Sequence, residues 1–162
     1  MTYYNLGSYS RKVTTASGDA QMWFDRGLAW TYAYNHQEAI VCYRNALAAD
    51  PTCAMAHWGI GYCIGPNYNK PWETFEEDEK PECIELARTS IRAALDQLDR
   101  LTPVEQSLIQ ALPARYPGSA EVEDFGPWND AFADAMRKVH ADFPDDPDVR
   151  ALFAEALMNR TP

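Results

Sequence analysis

The amino-acid sequence predicts an all-α protein: an α-α superhelix of about three helical hairpins followed by a C-terminal helix. Three observations carry that prediction. Within residues 20–51, Trp23, Gly27 and Trp30 recur at spacings of four and three residues and so share one side of a helix, and Ala39, Tyr43 and Ala46 do the same on a second helix. The pattern then returns in weaker form further along the chain. No alternation of apolar and polar residues reaches useful strand length, and the only β-branched cluster is Val13-Thr14-Thr15 near the N-terminus.

Taken in order, residues 1–18 carry Tyr, Ser and Gly and read as an extended arm, without the apolar core that a signal peptide needs. The helical domain is 19–162. Its first hairpin, 20–51, turns at Tyr34-Asn35-His36-Gln37-Glu38, where Asn35 and Glu38 resemble a capping box, and ends at Asp50-Pro51. The second, 53–100, starts with Ala54, Ala56, Gly59 and Gly61, small enough for close helix approach, and is stopped by Gly65-Pro66. Its second helix arrives late, at Ala87, Ile91 and Ala94, so the segment 65–82 holds an insertion, a length associated with functional or disordered loops. The third, 102–144, opens on Thr102-Pro103-Val104-Glu105, a capping box with Pro at the first helical position. Phe132, Met136, Val139 and Pro144 then repeat the spacing of Ala39, Tyr43, Ala46 and Pro51. A terminal amphipathic helix, 147–159, carries Val149, Leu152, Phe153, Ala156 and Leu157. Because the last unit of a solenoid needs a polar outer face, this apolar side is expected to be covered by self-association or by a partner chain.

A net charge of -10 over 162 residues, with no basic stripe, argues against nucleic acid and against anionic membranes as partners. No segment is apolar enough to span a bilayer. Cys42, Cys53, Cys63 and Cys83 are widely spaced without a C-x-x-C, and are expected to be reduced thiols in a cytoplasmic protein.

The hairpin pattern of aromatic, small, aromatic, then Ala, aromatic, Ala and Pro resembles the tetratricopeptide repeat (TPR). Specific runs are similar to a subgroup of uncharacterised microbial and fungal members: Asn35-His36-Gln37-Glu38-Ala39, Cys53-Ala54-Met55-Ala56-His57-Trp58-Gly59 and Gly65-Pro66-Asn67-Tyr68-Asn69. The likeness continues through Thr102–Gln106, Ala114–Tyr116, Phe143–Pro147 and Ala154–Met158. The resemblance implies that the first helix of each hairpin lines a concave face, which puts Phe24, Leu28, Tyr32, Trp58 and Tyr62 on it. Relatives that clamp a terminal carboxylate use Lys, Arg and Asn there, so an adaptor for chaperone tails is not expected. An aromatic trough of this kind suits a peptide or a small hydrophobic molecule. Alternatively, the same rings pack against the arm or the insertion.

Stacked hairpins would bring the His36 turn to the Gly65–Trp72 loop at one rim. The leading function is therefore a protein-interaction or small-ligand-binding module with no cofactor, its contacts extended by Asn67, Tyr68, Asn69 and Trp72. The rival is a small enzyme of secondary metabolism, metal-dependent or metal-free, with His36 as acid-base group, Glu38 orienting it, and Asn67, Tyr68 and Asn69 holding substrate. Hydrogen bonds that merely stitch the loop to the scaffold are the plainer alternative. For a metal, Cys53 and His57 lie one helical turn apart, but two ligands without a third do not make a site.

Overall fold

The computed structural model describes residues 3–161 and is all-α: seven α-helices and no strand among these residues. Residues 1, 2 and 162, counted above with the arm and the helical domain, lie outside the described residues. The helices are α1 (Gly18–Tyr32), α2 (His36–Ala49), α3 (Ala54–Cys63), α4 (Glu79–Leu95), α5 (Pro103–Ala111), α6 (Gly126–Asp142) and α7 (Pro147–Met158). Several begin where side chains satisfy orphan N–H groups. Ser17 accepts from the Ala20 N–H, Asn35 from Glu38, and Asp146 from both Asp148 and Val149, while Thr102 and Glu105 form the capping box.

Helix α1 packs along α2, α3 along α4, α2 also touches α3, and α6 lies between α5 and α7, a succession that fits stacked hairpins. The seam is set by Tyr43, which is fully buried between Gly27 of α1 and Gly59 of α3. Ala39 and Ala46 on the same face of α2 are equally buried and let the backbones approach. None of the helices is long and apolar enough to cross a membrane.

The connection after α3 is shorter than the 65–82 segment suggested, because α4 starts at Glu79. It contains a single 3₁₀ turn at Trp72–Thr74, and Trp72 is fully buried. Its ring packs against Phe75, Tyr116, Phe125 and Trp128 at centroid distances of 5.1, 6.2, 4.8 and 5.8 Å. Arg88 holds the far side of this cluster by donating to the Tyr116 and Gly118 carbonyls. Aromatic burial on this scale anchors the loop by several kcal/mol, at about 1.5–3 kcal/mol per large side chain.

The arm is extended and bonded along its length. Ser10 and the Arg11 N–H donate to Asp25 of α1, the Val13 N–H to Gln21, Thr14 to Glu105 at the start of α5, and Thr15 to Asp50 at the end of α2. Arg11 also pairs with Asp146 and Asp148 at 2.8 and 2.6 Å, pinning the start of α7. Asp148 accepts from Tyr9 at 2.9 Å and from Tyr32 at 2.5 Å, so arm, α1 and α7 meet at one carboxylate.

This arrangement corrects the expected open trough. Phe24, Leu28, Trp58 and Tyr62 are all at most 3% exposed, and only Tyr32 of the five reaches the surface. Phe24 turns toward Tyr43, Trp58 stacks on Tyr62, and Tyr62 donates to Glu155 of α7. The apolar side of α7, with Val149, Leu152 and Ala156, is buried within the same chain. A covering helix in the same chain loses no translational freedom on docking, which a separate partner would.

Candidate functional site

The turn between α1 and α2 has the hydrogen bonds of a Schellman motif: the Tyr34 N–H donates to the Thr31 carbonyl and the Asn35 N–H to the Trp30 carbonyl. Glycine usually occupies the left-handed position of that motif. Here it is Tyr34, with φ of 57°, the one non-glycine residue of left-handed backbone among the described residues. The conformation costs about 1–2 kcal/mol for a residue with a Cβ. It lays the Tyr34 ring parallel to that of His36, with 10° between the planes and 6.2 Å between centroids.

His36 is the first residue of α2, so its ring projects from the rim toward the C-terminus of α3. Its Nδ1 lies 3.1 Å from the Cys63 carbonyl and 3.3 Å from Nδ2 of Asn67. Asn67 is buried in a tight turn, where it exchanges backbone hydrogen bonds with Lys70. Its Oδ1 accepts from the Asn69 and Lys70 N–H groups, which orients the amide so that Nδ2 faces His36.

Behind His36 lies a buried polar network. Tyr62 donates to Glu155 at 2.6 Å, and Asn159 donates to the other carboxylate oxygen at 2.7 Å. Arg115, 1% exposed, sits 3.8 Å from Glu155, donates to the Pro66 carbonyl, and stacks over the rings of Tyr62 and Phe132. A buried cation needs such company, since desolvation costs several kcal/mol per ion. Burial, and then the Arg115 charge, lowers the His36 pKa from its usual value, so the ring is neutral at neutral pH. Burial, and then Glu155, raises the Tyr62 and Tyr34 phenols.

Beside these groups lies a cavity of about 140 Å³ lined by Thr31, Tyr32, Tyr34, His36, Tyr62, Ala151, Leu152 and Glu155. Its walls are aromatic faces and neutral hydrogen-bonding groups, and its one carboxylate already accepts from two side chains. A wider cleft of about 1100 Å³ at the opposite rim is lined by the arm and helix ends. Its carboxylates, Asp50 and Asp146, are bound by Thr15, Thr52 and Arg11.

Of the residues singled out from sequence, His36 and Asn67 do come together. Glu38 does not orient His36; its carboxylate accepts from Tyr3 instead, because two residues along a helix, from 36 to 38, carry the side chain to the opposite side. Asn69 belongs to the 67–70 turn, Tyr68 is exposed, and Trp72 is buried in its own aromatic cluster away from the cavity. Cys53 is buried with its thiol pushed up to about 11 by burial, and His57 Nε2 contacts the Pro51 carbonyl at 3.2 Å. No group of three or more His, Cys, Asp or Glu among the described residues could hold a metal. Sequence reasoning missed Tyr34, Arg115 and Glu155. Glu155 had a signal, a carboxylate three residues after Leu152 on the buried side of an amphipathic helix.

No family model, curated protein or solved structure matches the chain.

Proposed function

We propose that this chain is a non-catalytic, tetratricopeptide-like helical module that binds a small molecule in the cavity between the α1–α2 turn, the end of α3 and the inner face of α7. The observation that carries the reading is the backbone of Tyr34. A tyrosine stands where the turn favours glycine, and strain of this kind persists where a side chain is needed more than local comfort. The ring it presents is a wall of the cavity, parallel to His36. Neutral His36, Tyr34 and the aromatic walls favour an uncharged ligand of a few heavy atoms, held by stacking and one or two hydrogen bonds.

Native mass spectrometry and a fragment soak of crystals test the proposal, with wild type compared against Tyr34→Gly. The glycine variant should keep its stability within about 1 kcal/mol, since relief of the left-handed backbone offsets the lost ring contacts and the freer unfolded chain. It should lose the ligand. Equal occupancy of the cavity in both proteins, or none in wild type, would retire the reading.

A further inference from the structure

A donor and an acceptor converge on a single nitrogen of His36. Nδ1 is 3.1 Å from a carbonyl oxygen, Cys63, and 3.3 Å from an amide nitrogen, Asn67 Nδ2. The amide cannot be turned over to resolve the conflict, because Oδ1 is already the acceptor for the Asn69 and Lys70 N–H groups. One ring nitrogen offers either an N–H or a lone pair, never both. A proton on Nδ1 satisfies Cys63 and leaves Asn67 unmatched; a proton on Nε2 lets Asn67 donate to Nδ1 and leaves the Cys63 carbonyl unmatched. Each tautomer of the neutral ring thus keeps one of these two bonds and forgoes the other, and the Thr31 backbone, a further partner of the ring, enters the balance between them.

We infer that Cys63 and Asn67 hold His36 as a two-tautomer switch, and that the cavity's ligand is a small planar molecule presenting one hydrogen-bonding group, donor or acceptor, to Nε2. The inference rests on the ligand-binding reading above. His36 lines the cavity together with Thr31, Nε2 is the ring nitrogen that Cys63 and Asn67 leave over, and the parallel face of Tyr34 favours a flat ligand. With the proton on Nε2 the ring donates to an acceptor ligand; with the proton on Nδ1 it accepts from a donor ligand. Asn67 is a positioning residue, acting on the ligand only through the imidazole.

The test uses the full chain labelled with ¹⁵N, with His36 signals assigned by their loss in His36→Gln. In long-range proton–nitrogen spectra, both ring nitrogens of wild type should fall between the protonated and unprotonated positions, and Asn67→Leu should move the ring to the Nδ1–H form. Asn67→Ser, which keeps an oxygen for the 67–70 turn without adding a charge, should do the same if the leucine variant misfolds. A single tautomer in wild type, or one unmoved by either substitution, overturns the switch. Pyridine, an acceptor, and pyrrole, a donor, are then titrated as probes. Wild type should bind both within about threefold, and Asn67→Ser should keep pyrrole and lose pyridine about tenfold, the worth of one hydrogen bond. Equal losses for both probes overturn the inference. If neither probe binds a wild type that shows both tautomers, the ligand half and the cavity reading fall together while the switch stands.

Discussion

The ring of Tyr43 fills the volume that a side chain on Gly59 would take: an ideal Cβ there would lie 2.5 Å from Cε2. Gly27 faces the other part of the ring, with a Cβ position 2.6 Å from Cε1. One aromatic side chain thereby sets the spacing of α1, α2 and α3, and the two glycines are places where only hydrogen fits. Gly59→Ala and Gly27→Ala should each destabilise by about 1–3 kcal/mol, the usual range for overpacking a core. Urea unfolding measures it. Tyr43→Phe, which loses only the contact with the Thr31 hydroxyl, should cost about 1 kcal/mol.

Arg11 ties the arm to α7 through Asp146 and Asp148, and its side chain is only 10% exposed. Removing one member of a buried pair leaves the other charge unmatched, so Arg11→Ala should destabilise by about 3 kcal/mol. Hydrogen exchange should rise around residues 9–11 and at the start of α7 together, because Tyr9 and Arg11 are held by the Asp146 and Asp148 carboxylates that open α7. Faster exchange in the arm alone would mean that α7 docks without it.

Stability should fall on acidification in two stages. His36 and His57 both have lowered pKa values, chiefly through burial, so the unfolded chain binds protons first. Their contribution is complete above the unfolded value of about 6.5 and is lost as pH falls through the folded values. Asp50, Glu105 and Asp146 are also held low. For Asp50 the main cause is the Thr15 hydroxyl; for Glu105 and Asp146 burial opposes, and bonds from Thr14 and Thr102 or from Arg11 outweigh it. These carboxylates contribute fully above about 4.3, and the contribution is lost as pH falls through their folded values. Denaturation at a series of pH values should show both stages, and His36→Gln should shrink the first and leave the second.

Trp72 anchors the loop that carries Asn67. Trp72→Ala should cost about 3–5 kcal/mol, in line with other large-to-small core changes. The buried Nε1 has no hydrogen-bond partner among the described residues, so Trp72→Phe forfeits no bond and should cost much less. Calorimetry of the two variants separates these costs. If the phenylalanine variant is as damaged as the alanine one, the indole nitrogen has a role that its surroundings do not reveal.

The site was partly legible before the fold. The turn at Asn35–Glu38 and the Gly65-Pro66-Asn67 stop stand out as punctuation, and stacking hairpins side by side is enough to bring His36 to Asn67. Glu155 and Arg115 were harder to find because they lie 93 and 53 residues from Tyr62 along the chain. Nothing local says that a carboxylate in α7 will meet a phenol in α3. Tyr34 was hidden for another reason: a left-handed tyrosine is a departure from the residue preference on which turn prediction relies.

Periodicity, with the capping and Gly-Pro signals, determined that the chain is helical, roughly where its helices begin and end, and that Gly27, Ala39, Tyr43 and Ala46 form a seam; Trp23 and Trp30, expected beside Gly27, meet Tyr3 of the arm instead. Those features depend on neighbours three or four residues apart, which a sequence displays directly. Tertiary structure alone decided whether the side expected to be concave is open. The same Phe24, Leu28, Trp58 and Tyr62 serve an exposed trough or a filled core, and the outcome depends on where the arm and α7 settle. That balance pits distant groups against solvent, and here Arg11, Tyr32 and Tyr62 meeting Asp148 and Glu155 resolve it by closing the face and leaving one small cavity beside His36.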